Sequence, residues 1–528
     1  MLRINKFNVP LQLLTIVIVT FIYFYGTINN YFYGDDFIWL DRVRHLDGKW
    51  LRIFTVEHRY FTPLTYVSFF INYKLFGLNA FGYHLHDVFF HSLNGLLLYS
   101  LSYQISKNKL APFLAAITFV TSSSMIITVL WPSARTDLMM VTFSLATIIA
   151  FIRKDSYKFK FFPISFYILA LSAKGTALVI PFVLFLLTSN TKPLKNRIDE
   201  ILPYITLNLV YVVFLIMSNF LGAANVIPKH NVLSLSNFFI SFPTLIIPER
   251  PLAQFDIYVL ATTSVIILII LLIINIKQRD LTLRIGTSLA VLGLLPIIFT
   301  NDYVLAGNNA TALNLIGCPS NRVYLACAGI SLVFAAIAVK ALNSDMHFSF
   351  KIAFVILLTS LLYVNYREAG LINKIWSTGT KHTKTCMSLL DRNSSMLTDG
   401  SVLLLYNCEG SAGFLNGMIK AAYDLKKIEV HALFYRSVNE ITDVDISPLQ
   451  NPAFVYNPTN VKLIMNCRES PNEKLLTQYG NLALQDILSD YRILFETSTT
   501  VEETPIKWRL NNNMLRLRSL IDRCEIEG

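Results

Sequence analysis

The sequence predicts a polytopic all-α membrane protein of about eleven transmembrane helices, followed by a small C-terminal extracytoplasmic α/β domain. Three observations predict it. The 528 residues are 54% hydrophobic and only 15% charged, too apolar for an ordinary soluble protein. Apolar runs, most of roughly 15–21 residues, recur through the first two thirds, and such a run crosses a hydrocarbon core of about 30 Å as a helix. From Arg367 onward the pattern changes to mixed polar and apolar residues.

In chain order the expected spans lie near Val9–Ile28, Tyr83–Tyr103, Leu110–Val129, Asp137–Ile152, Phe161–Leu171, Thr176–Thr188, Ile201–Asn219, Ile257–Ile276, Ile285–Phe299, Val323–Val339 and Ile352–Tyr366. The first lacks a small-x-small cleavage site ahead of Gly34, so it reads as a retained span and not a removed leader. The formal net charge of +11 reports topology, not nucleic-acid binding, because basic residues of polytopic proteins gather in cytoplasmic loops. With the N-terminus in the cytoplasm, inward segments carry sixteen basic residues, from Arg3 and Lys6 to Lys340 and Lys351. The outward connections after spans three, five, seven and nine carry five: Arg135, Lys174, Lys229, Arg250 and Arg322. The N-terminus is therefore expected inside, and the C-terminus outside.

Residues 1–366 form the expected membrane domain, with a long first outer loop, 29–82, and residues 367–528 the outer domain. In the latter, 401–407, 428–435, 461–466 and 491–496 read as strands, with helices over 411–427 and 471–488. Cys408 and Cys467 each follow a strand, and adjacent parallel strands would bring them together, one of three possible pairings of four outer-domain cysteines.

Chemistry gathers at the outward ends of the spans. Tyr33-Gly34-Asp35-Asp36-Phe37 places two carboxylates directly after the first span, where ionised groups are costly and functional by default. His58-Arg59-Tyr60 closes the first outer loop, and Arg135-Thr136-Asp137 joins spans three and four. Lys174 lies between spans five and six, and Arg322-Val323-Tyr324 opens span ten. A carboxylate can serve as general base, and cations can neutralise a phosphate in a low-dielectric cleft. Snorkelling, or pairing of these cations with Asp137, Asp302 or Glu249, is the structural alternative. His84, Asp87, His91 and Asn94 share one face of span two over three turns, which suits hydrogen bonding between helices better than one metal ion.

Several motifs in this order carry a resemblance: the acidic pair, His58-Arg59-Tyr60-x-x-Pro63-Leu64-Thr65, Phe76 to Leu85, His91-Ser92-Leu93-Asn94, Arg135-Thr136-Asp137-Leu138, and the Lys174 and Arg322 loops. Together they resemble the GT-C integral-membrane glycosyltransferases, in particular the protein O-mannosyltransferase-like branch with its bacterial relatives, over roughly residues 1–375. The resemblance implies an inverting transfer of a sugar from a polyprenyl-phosphate-linked donor, at the extracytoplasmic face, to a glycan, lipid or protein acceptor such as a surface polysaccharide or O-antigen. It maps the catalytic carboxylate to Asp35, with Asp36 beside it, and donor or acceptor contacts to His58, Arg59, Tyr60, Arg135, Asp137, Lys174, Arg322 and Tyr324.

Asp36 stands where close relatives often have Glu, and Gly175 where they commonly have an acid, which leaves the choice of base and any dependence on a divalent ion open. No cofactor is expected, and metal independence is the expectation because a phosphodiester donor needs less charge neutralisation than a nucleotide diphosphate sugar. A bacterial inner membrane is the expected location, with membrane lipids as surroundings. A lipid-linked oligosaccharide ligase or polymerase, or a lipid-linked sugar transporter or flippase, is the alternative. The former would not need the acidic pair, and the latter would favour interrupted half-helices in repeated halves.

Overall fold

The computed structural model describes residues 9–46, 48–55, 61–153, 161–188, 192–220, 235–246, 257–278, 280–299, 322–343, 347–392, 402–406, 412–423, 429–433 and 461–466. The chain divides into two compact units. One comprises Met1–Asn30 with His45–Ser377, and the other Tyr31–Arg44 with Thr378–Gly528.

The first unit is helical among its described residues. Its helices are α1 (Val9–Tyr23), then α3 (Pro63–Phe76), α4 (Ala80–Ile105), α5 (Ala111–Val120), α6 (Ile126–Leu130), α7 (Arg135–Ile152), α8 (Phe162–Ala173) and α9 (Ile180–Leu187). They continue with α10 (Leu194–Phe220), α11 (Leu235–Thr244), α12 (Ile257–Gln278), α13 (Leu281–Leu294), α14 (Tyr324–Asn343) and the long α15 (Phe348–Arg392), which passes into the second unit. Helix α2 (Asp36–Arg44) belongs to the second unit.

Each of the eleven apolar segments falls on helix. By length and composition, five described helices are able to cross a membrane, and a sixth span forms if the pair Ala111–Val120 and Ser123–Leu130, bent by 50°, is counted as one. These helices make the chain an integral membrane protein. Several other segments fall short for physical reasons. Helices α1, α8 and α9 are 15, 12 and 8 residues long, and a 3₁₀ turn at Gly175–Val179 precedes α9. Helix α4 has the length, 26 residues, but carries His84, Asp87 and His91 along its buried side.

Local chemistry sets the helix ends. Asn79 caps α4 by accepting from Phe81 N at 3.2 Å, Pro63 occupies the first turn of α3, and Gly77 ends α3 at φ +55°, a left-handed conformation open to glycine. Helices α13 and α14 pack through small residues, and a Cβ on Gly286 would lie 2.9 Å from Gly329 O. Only 17% of the apolar stretch of α10 and 11% of that of α15 is buried against protein, as expected of surfaces that face lipid tails.

The second unit contains a parallel three-stranded sheet of order β2-β1-β3, with β1 Val402–Tyr406, β2 Glu429–Leu433 and β3 Val461–Asn466. Helix α16 (Ala412–Tyr423) lies between β1 and β2 in the chain, the kind of crossover a parallel pair requires. The strands fall on three of the segments that the sequence marks as strands. The segment 491–496, Cys408 and Cys467 lie outside the described residues.

Candidate functional site

In the acidic turn of the second unit, Gly34 adopts φ +59° and the chain reverses so that Asp36 N donates to Tyr33 O at 3.3 Å. The Asp36 carboxylate is wholly buried, and Oδ2 accepts from Tyr33 N at 2.9 Å. Asp35 precedes α2, and its carbonyl accepts from Ile38 N and Trp39 N at 3.0 and 3.1 Å, so it sits at the helix N-cap. Its side chain is half-buried. The two acids therefore differ in environment: Asp36 closes the turn on itself in full burial, while Asp35 is only half-buried.

In the first unit, Arg135 lies in the protein core at 0% exposure. Its Nε donates to Asp87 Oδ1 at 2.5 Å, Nη1 donates to Ser68 Oγ at 3.2 Å and to Asn72 Oδ1, and Nη2 donates to Tyr83 O at 3.0 Å. The guanidinium also sits over the rings of Phe69 and Tyr83, 4.7 and 5.8 Å from their centroids. Its fork is thus engaged by protein groups from α3 and α4. Buried beside it, Asn72 Oδ1 meets His86 Nδ1 at 2.8 Å. Ser68 and Asn72 went unmarked in the sequence. With Pro63 and Thr65 they sit on a largely apolar helix, and their i, i+4 spacing was the available signal.

Two residues along α7, Asp137 pairs with Lys174, Nζ to Oδ2 at 2.5 Å, with both side chains largely withdrawn from solvent at 3% and 13% exposure. Thr136 Oγ1 donates to the same oxygen at 3.3 Å. Lys174 is extended between α8 and the turn Gly175–Val179, and a Cβ at Gly175 would meet Tyr211 Oη at 2.8 Å, so no acid fits there without moving that ring. Arg322 stands exposed on the turn before α14, close enough for its charge to act on Asp137. The pairing of Lys174 with Asp137 is the structural alternative foreseen for this lysine.

Tyr324 is fully buried behind this cluster. Its hydroxyl meets His91 Nδ1 at 2.6 Å and accepts from Asn94 Nδ2 at 3.1 Å. Asn94 also donates to Leu138 O at 3.0 Å and accepts from Thr142 Oγ1 at 2.7 Å. The polar face of α4 thus joins α7 and α14, with Asp87 bound to Arg135 on the same face, which is the helix-to-helix role its spacing suggested. His58, Arg59 and Tyr60 lie outside the described residues. Among the described residues, no group of three or more His, Cys, Asp or Glu could hold a metal ion.

No family model matches the chain, and no curated protein matches it. Solved structures similar to it include ArnT from Cupriavidus metallidurans bound to undecaprenyl phosphate, with TM-score 0.48 and 10% identity over 80% of this chain and 86% of that one. The same enzyme in the apo state gives TM-score 0.44 and 13% identity over 80% and 85%. The Archaeoglobus fulgidus oligosaccharyltransferase tethered to an acceptor peptide gives TM-score 0.43 and 10% identity over 79% of this chain and 63% of that one.

Proposed function

We propose that the chain is an inverting glycosyltransferase that moves a sugar from a polyprenyl-phosphate-linked donor to an extracytoplasmic glycan, lipid or protein acceptor, with Asp35 as general base. The observation that carries this reading is the division of labour in the acidic turn. Asp36 is buried and holds Tyr33 N, whereas Asp35 is half-buried at a helix N-cap. A base must be ionised and reachable by an acceptor hydroxyl, and of the two carboxylates Asp35 has that exposure.

The reaction needs a second element. As the acceptor oxygen loses its proton to Asp35 and attacks the anomeric carbon, the bond from that carbon to the lipid phosphate breaks. The phosphate departs with the electron pair, and inversion follows from attack opposite the leaving group. The departing oxygens gain charge, which positioned cations stabilise. Arg322, exposed and close enough for its charge to act on Asp137, is assigned to this task, together with Lys174 and with Arg59, His58 and Tyr60 as further contacts from the first outer loop. Arg135, saturated by Asp87, Asn72, Ser68 and Tyr83, takes a different part: it anchors the start of α7 and so fixes Asp137. Tyr324 steadies the first turn of α14, next to Arg322, through His91 and Asn94.

In this reading the N-terminus is cytoplasmic, residues 1–366 are the transferase domain and 367–528 an outer domain, in a bacterial inner membrane. The test is incubation of purified protein with labelled polyprenyl-phosphate hexoses and mass analysis of what acquires the sugar. Asp35→Asn is expected to lower turnover by about 100-fold or more with donor binding retained, in line with loss of a general base. Near-normal transfer by a folded Asp35→Asn, Asp36→Asn protein would exclude this chemistry and favour the ligase or flippase alternatives.

A further inference from the structure

The segment that bears the acids, Tyr31–Arg44, clusters with residues from Thr378 onward and not with the spans on either side of it in the chain. Helix α2 packs along α16. Phe37, Leu40 and Val43, spaced i, i+3 and i+6, are buried on α2, and Met418, Ile419 and Ala421 are buried on α16. The two backbones approach closely at Gly417. A Cβ there would lie 3.4 Å from both Ile38 N and Phe37 C, so a methyl reaches ordinary contact and a branched side chain would press on the first turn of α2. At the other end of the helix, Arg44 Nη1 donates to Ala421 O in the last turn of α16, a carbonyl a helix terminus leaves unsatisfied. Tyr423 Oη in turn donates to Asp391 Oδ1 near the end of α15.

From these contacts we infer that α16 is the seat of the acid-bearing helix, and that Gly417 and Arg44 are positioning residues for Asp35. Helix α16, separated from the acidic turn by more than 300 residues of chain but in the same compact unit, sets the orientation of the base. This rests on Asp35 being the base, and the seating itself is readable without that assumption. The physical basis is the short lever from Gly417 to Asp35. The peptide of Phe37 and Ile38 lies against Gly417, and the N–H groups of Ile38 and Trp39 bond the Asp35 carbonyl, so displacement at that point is passed directly to Asp35.

Two measurements on the full-length protein test it. In the first, Ile38→Cys with Gly417→Cys is oxidised, and crosslinking is read by the mobility of fragments cut between the two positions. A crosslink is expected, with turnover no lower than that of the same protein reduced. Absence of the crosslink, or loss of turnover on forming it, overturns the seating. In the second, Gly417→Leu is expected to lower kcat tenfold or more with donor KM unchanged, Gly417→Ala to give a smaller loss, and Arg44→Lys to restore part of what Arg44→Ala removes. Gly370→Leu, where a Cβ would meet open space, serves as the control. Full kcat in Gly417→Leu overturns the positioning role. Should that variant fail to fold, the crosslink still decides the seating. If Asp35→Asn keeps its activity while the crosslink forms, the base assignment falls and the seating of α2 on α16 stands.

Discussion

Replacing Arg135 by Ala tests whether this arginine holds the fold together. Its guanidinium is buried at 0% exposure and donates to Asp87, Ser68, Asn72 and the Tyr83 carbonyl while lying over two rings. Truncation leaves the Asp87 carboxylate, itself at 0% exposure, as an uncompensated buried charge. Removing one partner of a buried pair costs about 3–5 kcal/mol, which is large beside the stability of most folds. The assay is thermal unfolding of detergent-purified protein followed by tryptophan fluorescence, with Arg135→Lys as the variant that keeps charge but loses the fork.

Arg135→Ala is expected to melt far below the wild type and Arg135→Lys between them. The apolar double variant Asp87→Leu, Arg135→Met is expected to lose less than the two singles summed, with a coupling of about 0.5–3 kcal/mol, since replacing both charges removes the orphan. A transition in Arg135→Ala within about 0.5 kcal/mol of wild type, the usual range for surface changes, would refute the reasoning, as would an additive cycle.

Three more outcomes are expected of the same protein. Arg322→Ala is expected to weaken donor use with the melting transition intact, because the residue is exposed and a lost charge-assisted hydrogen bond costs about 1.5–3 kcal/mol; Arg322→Lys should rescue only in part, and unchanged donor KM in both would remove the phosphate assignment. A Cβ at Gly329 would press on the backbone of Ala290 and Gly286, so Gly329→Leu should lower the melting temperature through overpacking by about 1–3 kcal/mol or more; an unshifted melt would show that α13 and α14 separate freely. Asp280 caps α13 by accepting from Thr282 N at 2.9 Å and Leu283 N at 3.4 Å, and Lys340 Nζ lies 3.0 Å from its Oδ2. Burial pushes its carboxyl up, but Lys340 and the two amides outweigh that and hold it below the usual carboxylate range. A depressed carboxyl stabilises above its unfolded value and loses that contribution as pH falls through the folded one. Asp280→Ala should therefore melt lower than wild type at neutral pH, with the gap closing below about pH 4; a gap independent of pH would refute the ionic part.

What the sequence determined by itself is what short stretches of chain encode. Each of the eleven apolar runs falls on helix, because burial and backbone satisfaction in lipid act on contiguous residues, whereas α3 and α11 were not marked. The polar face of span two is equally local: one helix period placed Asp87, His91 and Asn94 together, and they do join neighbouring helices. The charges at the span ends were legible in the sequence as candidates. Which of those charges reaches solvent was not.

Arg135 and Arg322 read alike in sequence, each a basic residue beside an outward span end. Only packing buries the first among Asp87, Asn72 and Ser68 and leaves the second exposed. Asp35 and Asp36 are adjacent, and only the turn at Gly34 folds one carboxylate onto Tyr33 N while the other stays half-exposed. The association of α2 with α16 joins segments more than 300 residues apart through a glycine and one arginine, contacts with no periodicity to announce them. Long-range pairing of this kind depends on where the whole chain brings two surfaces, and that information resides in the tertiary structure alone.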